Sequence, residues 1–78
     1  MTDDELQRFA LAKMGKVLGP DRAERVLTRI LEDLRIDVLR TPQDLLRASE
    51  RMSALGGMEA AVGALLGLAA VVRGARPA

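Results

Sequence analysis

The 78-residue sequence contains no cysteine, histidine, tryptophan or tyrosine, and Phe9 is its one aromatic residue. Without cysteine no disulfide can form, and without cysteine or histidine the usual structural zinc site is excluded. Histidine is also the commonest general base near neutral pH, and cysteine is the strongest natural nucleophile. These absences argue against catalysis, and we expect a protein that is not an enzyme and holds no metal or cofactor.

The charges are nearly balanced, with 12 Lys and Arg against 11 Asp and Glu and a formal net charge of +1. They are interspersed along the chain, so no segment forms a basic arm for phosphate contacts. Three of the first five residues are acidic, whereas a secretory signal peptide needs a basic start, and we expect a cytoplasmic protein. Ten of the basic residues are Arg, a usage that together with abundant Ala and Leu is typical of GC-rich bacterial genomes.

Capping signals and apolar spacing predict an all-α fold, a compact bundle of four short helices that forms a single domain. Thr2 and Glu5 form a capping box at the start of the first helix, and Gly19-Pro20 separates it from the second. Thr41-Pro42 repeats the start pattern for the third helix. The predicted helices are 3–18, 20–35, 42–55 and 58–73, and residues 74–78 are predicted to fray.

Apolar residues at helical spacing indicate which side chains of the first three helices form the core. The second helix has the most regular stripe, and the connector after it is apolar enough to cover one end of the core. The predicted inward positions of the second helix are Ala23, Val26, Leu27, Ile30, Leu31 and Leu34. Those of the connector and third helix are Ile36, Val38, Leu39, Leu45, Leu46, Ser49, Met52 and Leu55.

The fourth helix is unusual because no charge occurs from Ala60 to Val72. At 100° per residue it has a face of larger residues and an opposite face of small ones. The larger face comprises Met58, Ala61, Val62, Leu65, Ala69 and Val72, and the small face comprises Ala60, Gly63, Gly67, Ala70 and Gly74. Glu59, Leu66 and Arg73 lie on a line between the faces, which we predict to be the solvent-facing strip of a central helix.

These features predict a non-enzymatic protein–protein interaction module, an adaptor or regulator that self-associates or docks to a larger bacterial protein. The spacing of Gly63 and Gly67 allows another helix backbone to approach closely. The predicted partner-binding residues are Gly63, Leu66, Gly67 and Ala70. The competing interpretation is that the fourth helix is the central element of the bundle and is covered on both sides by the same chain.

Two alternatives remain open. In the first, the second and third helices form a helix-turn-helix that reads DNA through Gln43, Arg47 and Arg51. Acidic neighbours on the third helix and the balanced net charge argue against it, and we expect no nucleic-acid partner. In the second, the fourth helix attaches the protein to a membrane, although its apolar run falls short of the roughly 20 residues that a span needs.

Overall fold

The computed structural model describes residues 5–76, of which 82% are helical. Within this range there are four α-helices and no strand, which confirms the predicted all-α bundle. The helices are α1 (Glu5–Leu18), α2 (Pro20–Leu34), α3 (Pro42–Leu55) and α4 (Gly57–Val72). The capping box predicted at Thr2 lies outside the described residues.

Thr41 begins α3 in the manner that its sequence predicts. The Thr41 hydroxyl oxygen accepts a hydrogen bond of 3.0 Å from the backbone N–H of Asp44. The Asp44 carboxylate accepts in return from the backbone N–H of Thr41 at 3.4 Å and of Arg40 at 3.1 Å. This reciprocal capping box satisfies backbone donors that have no partner within the helix.

The carboxyl end of α2 depends on an arginine in the left-handed conformation. Arg35 has φ 60° and ψ 41°, and it is the one non-glycine residue with positive φ among residues 5–76. Its N–H donates to the carbonyl of Glu32, and the N–H of Ile36 donates to that of Leu31, both at 3.1 Å. This is the Schellman arrangement, in which glycine usually occupies the position of Arg35.

All four helices and the α2–α3 connector contribute to one core. The predicted stripe of α2 is confirmed, with four of its six residues buried and two partly buried. In the connector, Leu39 is fully buried, and its N–H donates to the Gln7 side chain at 3.0 Å. The largest fully buried side chains are those of Met14, Leu27, Leu39, Leu45, Met52, Val62 and Leu66.

The α3–α4 pair is an antiparallel hairpin with a very short connection. Gly56 is both the C-cap residue of α3 and the N-cap residue of α4. The φ angles of Gly56 and Gly57 are 77° and 61°. Further along, Gly63 lies directly against α3. A Cβ atom on Gly63 would lie 2.7 Å from the Ser49 carbonyl oxygen and 2.7 Å from the Ser53 hydroxyl. Only glycine fits at this contact.

Residues 74–76 pack against the bundle, whereas the sequence predicts that residues 74–78 fray. Gly74, with φ 116°, closes the end of α4, and the N–H of Ala75 donates to the Ala70 carbonyl at 2.9 Å. Ala75 is thereby turned into the core, where it is 6% exposed. The Gln43 side-chain amide then pairs with both backbone groups of Arg76, at 3.1 and 3.0 Å. Residues 77–78 lie outside the described range.

Gly63→Ala is expected to destabilise the fold because its methyl group collides with the α3 backbone. Overpacking a rigid contact costs about 1–3 kcal/mol, which exceeds the gain of about 1 kcal/mol that alanine normally gives over glycine in a helix. Taking the middle of the overpacking range, we expect the free energy of unfolding to fall by about 1 kcal/mol. Urea denaturation followed by circular dichroism at fixed protein concentration measures it.

Gly15→Ala is the matched control, since a Cβ on Gly15 would be 3.9 Å from the Pro20 Cα, an ordinary contact. This substitution is expected to leave stability unchanged or to raise it by about 1 kcal/mol. Equal effects of the two substitutions would contradict the close contact between α3 and α4.

Arg35→Gly is expected to stabilise the protein. The left-handed conformation costs a non-glycine residue about 1–2 kcal/mol, while glycine brings an entropic cost of about 0.5–1 kcal/mol. The net gain is about 0.5–1 kcal/mol in the same urea titration. Arg40→Gly, at an exposed position without positive φ, should instead lose stability. A loss at both positions would show that the left-handed Arg35 is not strained.

Candidate functional site

The four residues predicted to bind a partner lie inside the chain. Leu66 and Ala70 are fully buried, Gly63 is buried and Gly67 is half-buried. Gly63 and Gly67 face α3, and a Cβ on Gly67 would lie 3.1 Å from the Ser49 hydroxyl. Apart from the exposed Gly74, the small face therefore packs within the chain, but the opposite side of α4 is not covered, so the competing interpretation holds only in part. A partner could reach these residues only if α3 moved away.

The predicted solvent-facing strip of α4 is correct only at Arg73, which is exposed, whereas Glu59 is half-buried and Leu66 is buried. Leu66 is 0% exposed, the Glu59 carboxylate pairs with the Arg22 guanidinium of α2, and Arg73 stacks on Phe9 of α1. A hydrogen bond from the Glu59 backbone and the contact with Arg22 lower the pKa of the Glu59 carboxyl group below its ordinary value. Of the three residues on this line, Leu66 alone lies in the core, and Arg73 at the end of the helix stays exposed.

The side of α4 that faces solvent is uncharged along its whole length, and we call it the exposed α4 face. Its residues are Met58, Ala61, Ala64, Leu65, Leu68, Val71 and Val72. Four of them are large side chains with more than half of their surface in solvent: Met58 at 54%, Leu65 at 54%, Leu68 at 67% and Val72 at 80%. Leu55, predicted to face inward, is 60% exposed and extends the face past the glycine turn.

This exposure corrects the prediction that α4 is the central helix. Of the larger face, Val62 is buried and Ala69 half-buried, because these two residues turn toward the bundle. The rest of that face remains uncovered. The helix is apolar on all sides, so hydrophobic periodicity alone does not show which side is buried.

One signal in the sequence could have identified the exposed α4 face. Five of its residues recur at alternating intervals of three and four: Met58, Ala61, Leu65, Leu68 and Val72. Such spacing is typical of a helix that packs along a seam with another helix. Gly63 and Gly67 lie on a different side of α4, where they contact α3.

A groove of about 600 Å³ lies between α1 and α4 along one edge of this face. We call it the α1–α4 groove, and its lining residues are Phe9, Lys13, Leu65, Leu68, Ala69, Val72 and Arg73. The Lys13 Nζ atom is 5.7 Å and the Arg73 guanidinium carbon 4.3 Å from the centroid of the Phe9 ring. The floor is thus apolar, and both charged residues of the lining are cations.

The residues of the DNA-binding alternative are placed unfavourably for reading bases. The Gln43 amide is occupied by the backbone of Arg76. Arg47 and Arg51 are exposed, and with Arg35 they line a polar cleft that also contains the carboxylates of Asp33 and Glu50. Carboxylates beside these arginines repel the phosphates that a DNA-binding surface attracts.

The exposed α4 face and the α1–α4 groove are the features from which a function can be argued. Among residues 5–76, no helix is long and apolar enough to cross a membrane. In the same range, no three acidic side chains are grouped so that they could hold a metal ion. The chain matches no protein-family model, no curated protein and no solved structure.

Proposed function

We propose that this chain is a non-enzymatic, self-associating interaction module, in which the exposed α4 face of one copy packs against the same face of a second copy. The observation that supports it is a complete helix side that is apolar and open to solvent. Soluble monomers rarely expose contiguous apolar patches of more than a few hundred Å². A helix that is apolar all round is normally covered all round.

The area of the face matches what a dimer needs. Six large apolar side chains at and beside α4 are between 42% and 80% exposed: Leu55, Met58, Leu65, Leu68, Val71 and Val72. With roughly 200 Å² for each whole residue, they present roughly 700 Å² per chain, so two copies would bury at most roughly 1,400 Å². Stable interfaces bury about 1,200–2,000 Å² in total.

The shape of the face also suits a second copy. The 16 residues of α4 extend for about 24 Å, and the seam from Met58 to Val72 follows the spacing of a two-helix contact. A two-fold axis would bring the same patch of each copy together, so the one face supplies both halves of the interface. Ala61 and Ala64 leave room for the partner helix to approach.

Leu68→Glu is expected to abolish self-association, because it places a carboxylate in the middle of the apolar seam. Leu68 is 67% exposed, so the substitution should leave the helical circular dichroism signal intact. Analytical ultracentrifugation at micromolar concentration should show a dimer for the wild type and a monomer for the variant. Burying an unpaired charge costs several kcal/mol, which is enough to shift the dissociation constant by at least a hundredfold.

Thr28→Glu, on the exposed polar side of α2, is the matched control and should remain dimeric. A wild-type chain that is monomeric up to 100 times the protein concentration of the first measurement would overturn self-association. Dimers that persist unchanged in Leu68→Glu would show that another surface carries the contact.

A further inference from the structure

Two cationic side chains at the rim of the α1–α4 groove lie close together without an acidic partner. Lys13 and Arg73 both stack on the Phe9 ring, at 5.7 and 4.3 Å from its centroid, so their charged groups are at most about 10 Å apart. Within residues 5–76, neither forms an ion pair, and no carboxylate lines the groove. Two neighbouring like charges without a counter-charge favour an anion between them.

The floor of the groove has a different chemistry. Leu65, Leu68 and Val72 present exposed carbon surface there, next to the cations. The volume of about 600 Å³ lies within the range of about 300–1,000 Å³ that small-molecule sites occupy. The groove therefore has a positively charged rim that suits an anionic head group and, next to it, an apolar floor that suits a hydrocarbon tail.

From this juxtaposition we propose that the α1–α4 groove binds a free single-chain amphiphile with a carboxylate head, of the medium-chain fatty-acid class. The carboxylate lies between Lys13 and Arg73, where the guanidinium group can donate two parallel hydrogen bonds. The alkyl chain lies on Leu65, Leu68 and Val72. Phe9 holds both cations in place and so limits the side-chain entropy lost when the ligand binds.

Occupancy of the groove would oppose pairing of two copies, since Leu65, Leu68 and Val72 belong both to the groove and to the exposed α4 face. This competition rests on the proposed self-association, whereas binding of the amphiphile does not. A ligand that binds only the free surface shifts the equilibrium toward monomers by mass action. The groove would then regulate assembly.

Isothermal titration calorimetry with decanoate, below its critical micelle concentration, tests the binding. Decanoate should bind at one site per chain, whereas acetate and decyltrimethylammonium should not, because one lacks the tail and the other the negative charge. The double variant Lys13→Gln/Arg73→Gln should bind about tenfold more weakly. Arg25→Gln/Arg29→Gln, which removes two exposed cations of α2, should bind like the wild type.

Absence of decanoate binding, or equal binding of decyltrimethylammonium, would overturn the proposal. The same holds if the two double variants bind alike. Sedimentation of the protein with anionic phospholipid vesicles, without binding of free decanoate, would instead show that the cations serve a membrane surface.

Ala61→Glu separates this proposal from the proposed function, since Ala61 lies in the exposed α4 face but outside the groove. The variant should be monomeric and should retain decanoate binding, while decanoate should dissociate wild-type dimers. A wild-type monomer that binds decanoate would refute self-association and support the groove. A dimer that neither binds decanoate nor dissociates in its presence would support self-association and refute binding of the amphiphile in the groove.

Discussion

The contact between Gly63 and the α3 backbone determines how the rest of α4 is presented. A methyl group at this position would lie 2.7 Å from two oxygen atoms of α3. The residue of α4 that faces α3 at this point must therefore be a glycine. This contact fixes the rotation of α4 about its own axis. Once the small residues face α3 and Leu66 faces the core, the residues of the exposed α4 face must point to solvent.

The same rotation accounts for the groove. Ala69 and Arg73 come next to α1, where both cations of the rim stack on the Phe9 ring. One steric constraint thus produces an apolar seam and, along its edge, a strip with positive charge. Phe9 is the one aromatic residue of the chain, so its ring is the one on which these cations can stack. The surface chemistry of the protein follows from how two of its helices touch.

Local signals were sufficient for most of the fold. The Thr41 capping box, the Gly19-Pro20 boundary and the regular stripe of α2 each depend on residues a few positions apart, and each is found as predicted. The left-handed conformation of Arg35 was not predicted, because the sequence has an arginine where a glycine usually indicates such a helix end. The turn at Gly74 was not predicted either, because its effect depends on Gln43, which is distant in sequence.

The candidate site could not be predicted in the same way. In an amphipathic helix, the charged residues identify the side that faces solvent, but α4 has none between Ala60 and Val72. Which side is buried then depends on shape, that is, on which residues allow α3 to come near. The GxxxG spacing of Gly63 and Gly67 marked a close helix contact correctly. It did not show that the contact lies within the same chain.

The pairing of Gln43 with Arg76 has a consequence for how the chain folds. Together with the Gly56-Gly57 turn, it closes the α3–α4 hairpin at both ends, and this turn brings residues of the two helices that are near in sequence into contact. Contacts between residues that are near in sequence require little loop-closure entropy and form quickly. We therefore expect the carboxyl-terminal half to form the folding nucleus, with α1 and α2 condensing onto it afterwards.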